Sequence, residues 1–221
     1  MILSVDTTHE FGSLALTSDG ETVEEVLLHS KEGFGHILYG HLAALLARHE
    51  LEAGDIACFA AASGPGSFTG VRIGLACVKG LAEAMGRPAV AVSNLEALAT
   101  FGSAPLRAVV LDARRGEIYG AVYADDGEVV LPETVMKFQD WLETLPRGDL
   151  EFISTDFTPF FPALAGTRWE KARATTAPRA LAAAIGRVAE RRLKDGLAAD
   201  PAEIDANYVR RSDAELMWKE W

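Results

Sequence analysis

The residues best suited to chemistry in this chain gather near its start. All five histidines, His9, His29, His36, His41 and His49, fall within the first fifty residues. Two histidines that bind one metal from one helix must stand about four residues apart to share a face. His36 and His41 are five apart, and neither H-E-x-x-H nor H-x-x-x-H occurs. No metal site is expected, and metallopeptidase chemistry is disfavoured. Serine hydrolysis has no G-x-S-x-G to rest on. Cys58 and Cys77 both lie in apolar segments, without charges that would activate a thiolate, and read as small buried hydrophobes. Asp6 and Asp112 each close an apolar run. Carboxylates at such strand ends can hold Mg²⁺ through water. No catalytic residue is expected.

The segment Gly64-Pro65-Gly66-Ser67-Phe68-Thr69-Gly70 falls between an apolar strand and a long helix. Phosphate-binding loops live at such junctions, because helix N-terminal amides point outward there. The dinucleotide fingerprint G-x-G-x-x-G fails, since the third glycine comes one residue late. The P-loop fails too, because Gly70 is followed by Val71-Arg72 where Lys and then Ser or Thr are needed. Two readings remain: an anion or partner contact helped by Arg72, or a tight turn in which Ser67 or Thr69 caps the helix.

The elements that must position these residues follow from periodicity. Strands are expected at Ile2 to Asp6, Ser13 to Ser18, Thr22 to Leu28, Ile56 to Ala62 and Pro88 to Val92. Helices are expected from His36 to Glu50, from the glycine loop to Met85, and from Asn94 to Phe101. The pattern then restarts. Arg107 to Asp112, Ile118 to Tyr123, Val129-Val130 and Phe152-Ile153 read as strands, with helices at Phe138 to Leu145 and Ala180 to Leu193. In each half an aspartate closes the first strand (Asp6, Asp112) and an Asp-Gly turn joins the next two (Asp19-Gly20, Asp126-Gly127). The order implies a duplicated α/β fold: two lobes, residues 1–104 and 105–221, each a mixed sheet flanked by helices, with a cleft between them. That is the architecture of actin-like ATPases (the ASKHA fold), and fold alone does not settle function.

ATPases of this fold follow the first aspartate closely with glycine, so that the backbone wraps the phosphates. Here Asp6 is followed by Thr7-Thr8-His9-Glu10-Phe11, and glycine arrives only at Gly12. Tight nucleotide binding by this chain alone is therefore not expected. Asp6, Thr7, Gly64, Gly66, Arg72 and Asp112 remain the residues that would line a cleft or lie near a nucleotide. Arg114 and Arg115, after Asp112, could serve an anion or a salt bridge, and the salt bridge is preferred.

Along the helix from Phe68 to Met85, Val71, Leu75, Val78, Leu81, Ala82 and Met85 form one broad apolar face. Arg72, Lys79 and Glu83 form a polar strip, and Ile73, Cys77, Gly80 and Ala84 a third strip of mostly small residues. Exposed helix faces usually carry long charged side chains. The third strip suits close approach by another helix, either of a partner or of the chain's own second layer. The helix from His36 offers Gly40, Ala43 and Ala47 to the same surface.

Composition bounds the rest. The 221 residues are 49% hydrophobic and 24% charged, which suits a folded core. Net charge is −11, so the chain repels phosphate backbones at long range. No signal peptide or membrane-length apolar run is read, and a cytoplasmic protein is expected.

The blocks Ile2-Leu3-Ser4-Val5-Asp6-Thr7-Thr8, Ser63 to Gly74, Leu111 to Tyr119 and Tyr208-Val209-Arg210 resemble those of one family, TsaB (also called YeaZ), of bacterial threonylcarbamoyladenosine (t6A) biosynthesis. The likeness is weakest after about Pro132. The resemblance implies a non-catalytic scaffold that pairs with TsaD, the catalytic paralogue, and with TsaE, an ATPase. That complex modifies adenosine 37 of tRNAs that read ANN codons. The resemblance also implies pairing through N-lobe helices, with His36, Gly40, Ala43, Ala47, Ile73, Cys77, Gly80 and Ala84 as the interface, and homodimers through similar surfaces. It implies tRNA contact only through the complex, and no membrane. No cofactor is expected on the chain alone, with ATP or ADP left for the partner interface. An independent actin-like ATPase or sugar-type kinase is the competing reading.

Overall fold

A computed structural model of the chain describes residues 1–210. The chain divides into two compact units. The first comprises Met1–Ala97 with Arg179–Asn207, and the second Leu98–Pro178 with the chain from Tyr208.

The first unit runs β1 (Ile2–Asp6), β2 (Phe11–Ser18), β3 (Glu21–His29), α1 (Leu38–Arg48), β4 (Cys58–Gly64), α2 (Phe68–Met85), β5 (Ala89–Ser93) and the start of α3 (Asn94–Ala99). Its sheet has the order β3-β2-β1-β4-β5, with β1 antiparallel to β2 and parallel to β4. The second unit runs β6 (Leu106–Arg114), β7 (Glu117–Ala124), β8 (Val129–Lys137), α4 (Phe138–Thr144), β9 (Leu150–Ser154) and β10 (Arg173–Thr176). Its sheet reads β10-β9-β6-β7-β8. Read from the other end, with β6 in the place of β1, this is the order of the first sheet. The repeated topology carries the duplication that sequence identity between the halves does not.

Two strands differ from expectation. β8 continues through Pro132 to Lys137 because it is an edge strand, where a missing amide donor costs no ladder bond. β10 has no apolar alternation to announce it; Arg-Ala-Thr-Thr is held by parallel pairing with β9.

The last helix differs more. The stretch expected as a helix of the second lobe, α5 (Ala182–Lys194), packs on the sheet of the first unit, so the units do not follow a cut at 104/105. The reason lies in the period-two pattern of that sheet. Leu3, Val5, Leu14, Leu16, Phe59 and Ala61 share a core with α1 and α2. The alternate positions Ser4, Ser13, Ala15 and Thr17 are small and wholly buried. They face a helix that opens Ala182-Ala183-Ala184-Ile185-Gly186. A Cβ on Gly186 would stand 2.7 Å from Thr17 Oγ1, so small residues on both sides set the close approach. Polar contacts fix the helix start. Ser13 Oγ accepts from the amides of Leu181 (3.1 Å) and Ala182 (2.9 Å), Glu25 accepts from Ala183 N (2.8 Å), and Ser4 Oγ donates to Ala182 O (2.6 Å). The bonds to Ser13 and Glu25 satisfy amides at the helix start that no local N-cap side chain reaches.

In the second unit an aromatic core of Phe138, Trp141, Phe152, Phe157 and Trp169 fills the space around α4 and β9. Glu151, buried on β9, accepts from Ser103 N (2.7 Å) and Ala104 N (3.1 Å) and is also bonded by Thr175.

Candidate functional site

The end of β1, the glycine loop and α3 converge in the first unit. Asp6 is buried, and its Oδ1 accepts from Thr8 N (2.9 Å) and Thr8 Oγ1 (2.6 Å). Asn94, at the start of α3, donates from Nδ2 to Thr8 Oγ1 (2.9 Å) and more weakly to Asp6 Oδ2 (3.4 Å). The Thr8 hydroxyl has one hydrogen, and Asp6 takes it. His9 Nδ1, 2.8 Å from Thr8 Oγ1, is therefore the donor of that contact.

The glycine loop wraps the same turn. Ser67 N donates to Thr8 O (2.7 Å), and Thr7 Oγ1 donates to Gly70 O (2.7 Å). A Cβ on Gly66 would lie 2.6 Å from Thr8 O, and one on Gly70 only 2.0 Å from Thr7 O. The glycines are needed because the backbone of Thr7 and Thr8 occupies the cradle. Ser67 caps α2, its side chain accepting from Gly70 N (3.3 Å). Of the two readings of this loop, its contacts fit the capped turn. Arg72 is exposed on α2, with its guanidinium 6.0 Å from the Phe68 ring.

The structure brings Asp6, Thr7, Gly64 and Gly66 together. Thr8, Asn94, Gly70 and Gly74 belong with them and were missed. A fully buried asparagine opening a helix was the signal for Asn94, but burial is not visible in sequence. The Asp6 carboxyl is bonded inward, to Thr8 and Asn94, and the backbone of Thr7 and Thr8 fills the space beside Gly66 and Gly70. Asp112 lies in the second unit, exposed on β6, its Oδ1 accepting from Arg114 N (2.8 Å). No group of three or more His, Cys, Asp or Glu among the described residues is placed to hold a metal ion. Both thiols are buried, which pushes their pKa up to about 11 and leaves them unreactive. No described helix is long and apolar enough to cross a membrane.

The second surface lies on α1 and α2, which cover the same side of the first sheet. Gly40, Ala43 and Ala47 on α1, and Ala76, Gly80 and Ala84 on α2, are all exposed. His36 is exposed and Ile73 half-buried. Cys77, expected on the outer strip, is buried because α1 shields that side of α2; the Tyr39 hydroxyl reaches it there. Ala76 takes its place on the outer face.

The duplicated five-stranded units, of one strand order, define a protein of the actin-like ATPase fold; Asp6 closes β1 as expected, whereas Asp112 lies inside β6, which runs on to Arg114. A family model described as "TsaD: tRNA N6-adenosine threonylcarbamoyltransferase" matches residues 31–218. The protein named "tRNA threonylcarbamoyladenosine biosynthesis protein TsaB" of Bacillus subtilis (strain 168) is 30% identical over 232 residues, covering 99% of this chain and 98% of that one. YeaZ from Pseudomonas aeruginosa superposes with a TM-score of 0.74 at 26% identity, over 94% of this chain and 98% of that one. A second Pseudomonas aeruginosa structure, titled an uncharacterized protein with similarity to peptidase YEAZ, gives 0.78 at 25% identity, over 95% and 99%. The chain belongs to the TsaB (YeaZ) family of t6A biosynthesis, within the wider group that the TsaD model describes.

Proposed function

We propose that this chain is a non-catalytic scaffold of tRNA t6A formation, acting by pairing with a TsaD-type threonylcarbamoyltransferase. The observation that carries the reading is the outer face of α1 and α2. Six small residues, Gly40, Ala43, Ala47, Ala76, Gly80 and Ala84, stand exposed at helical spacing where solvent-facing helices usually carry long charged side chains. Such faces let a second pair of helices approach closely, as a related subunit of the same fold would. The inward-bonded Asp6 and the filled glycine loop agree with a chain that supplies a surface and leaves the chemistry to its partner. Within this reading TsaE is the further partner, any ATP or ADP lies at the partner interface, and tRNA is met through the complex.

The test is reconstitution of t6A on tRNA from TsaD, TsaE and threonylcarbamoyl-adenylate, with and without this chain, and with this chain alone. Modification only when this chain and TsaD are together is expected. Modification that proceeds equally without this chain overturns the reading. Modification by this chain alone makes it an enzyme.

A further inference from the structure

The edge of a β-sheet is a row of unpaired amides and carbonyls that another extended chain can join, and folded proteins guard such edges. The two sheets end in β3, β5, β8 and β10, and all but one of these edges are guarded. β10 is only four residues long. β8 carries Pro132 and shifts register twice along its pairing with β7. β5 is covered by the chain that follows α5. Ala89 and Ala199 exchange backbone bonds of 2.9 and 3.0 Å, and Arg192 donates to Ala91 O at 2.7 Å.

β3 lacks these devices along most of its length. It is nine residues long, contains no proline or lysine, and among the described residues pairs with β2 alone. A register shift lies at its start, where Leu16 faces Glu24 and Thr17 faces Thr22, and from Glu24 to His29 the register is unbroken. That stretch spans about 20 Å, room for one short strand. The charged side chains that would guard it are engaged within their own unit. Glu24 takes Arg48 Nη2 at 2.6 Å and His49 Nε2 at 2.7 Å, and Glu25 accepts from Ala183 N at 2.8 Å. His29 lies 3.1 Å from Glu10 and stacks on Phe11. Among them Leu27 is 53% exposed, and Val23, beside the register shift, 42%.

We infer that the outer edge of β3, over Glu24–His29, receives an extended segment of a partner protein in which basic and apolar residues alternate. In strand addition the main-chain bonds give affinity, and alternate side chains give selectivity. Leu27 offers the apolar contact. Charge selects the rest: β3 holds Glu21, Glu24 and Glu25 with no Lys or Arg, the turn before it exposes Asp19, and the chain carries −11. A second copy fits less well, because joining two β3 edges lays glutamate-bearing strands of two acidic chains side by side. The edge is distinct from the outer face of α1 and α2, so the inference stands apart from the pairing proposed above.

The test uses the full chain and an acetylated peptide of alternating lysine and valine, about eight residues long. A glutamate–valine peptide is the charge control, and the lysine–valine peptide N-methylated throughout is the backbone control. Saturable one-to-one binding of the lysine–valine peptide is expected at about 0.15 M salt. Hydrogen exchange should slow at amides within Glu24–His29 and on no other strand. Both control peptides bind more weakly by about tenfold or more. Leu27→Lys, at an exposed position, keeps Tm within about 2 °C of wild type and lowers affinity for the lysine–valine peptide about tenfold. Equal binding of either control peptide overturns the inference, as do protection on another strand, an unaffected Leu27→Lys variant or no binding. Protection of the same amides without peptide, rising with protein concentration, assigns the edge to a second copy and overturns it too.

Discussion

At the scale of single residues, the glycines of α2 divide by what surrounds them. Gly70→Ala would drive a methyl into Thr7 O and is expected to lower stability by about 2–3 kcal/mol. Gly80→Ala, in the same helix, meets nothing within 4 Å and is expected to raise it by about 0.5–1 kcal/mol. Denaturant midpoints of the two variants check the opposite signs. The sequence made the loop conspicuous and named Ser67 as a candidate cap, because both signals are local. What the loop encloses depends on a turn about sixty residues earlier, and no periodicity reports such a meeting. Cys77 shows the same limit. A helical wheel placed it on an outer strip, but whether a strip is outer depends on where α1 lies.

At the scale of elements, strands and helices with strong periodicity were legible to within a few residues, and those defined by partners were not. β10 exists through its pairing with β9, and α5 owes its place to small residues more than 150 positions earlier in the chain. Ser13→Ala removes the hydroxyl that caps α5 and is expected to cost about 1 kcal/mol, read by chemical denaturation. Glu151 gives the second unit a pH dependence. Burial raises its pKa, but hydrogen bonds from Thr175, Ser103 and Ala104 outweigh this and hold it below the usual carboxylate value. A carboxyl with a lowered folded pKa adds stability above its unfolded pKa and loses it as pH falls through the folded one. Thermal melts taken from neutrality to below about pH 4 should therefore fall less steeply for Glu151→Gln than for wild type.

At the scale of the whole molecule, the repeated strand order was legible in outline from two aspartates and two Asp-Gly turns, while the allocation of α5 was not. The exposed face of α1 and α2 leads to a prediction of association. Ala43→Arg and Ala76→Arg replace exposed small side chains, so Tm should stay within about 2 °C of wild type while co-elution with the transferase is lost. Retained co-elution would move the interface elsewhere. The placement of α5 also bears on how the chain is made. The ribosome finishes the strands of the first unit long before it reaches residue 182, yet the helix that covers one face of that sheet is still to come. At roughly 5–20 residues per second, that face waits on the order of 5–20 s, through synthesis of Leu98–Pro178 of the second unit. A nascent chain stalled before Ala182 is a half-covered sheet, and a natural client for a chaperone.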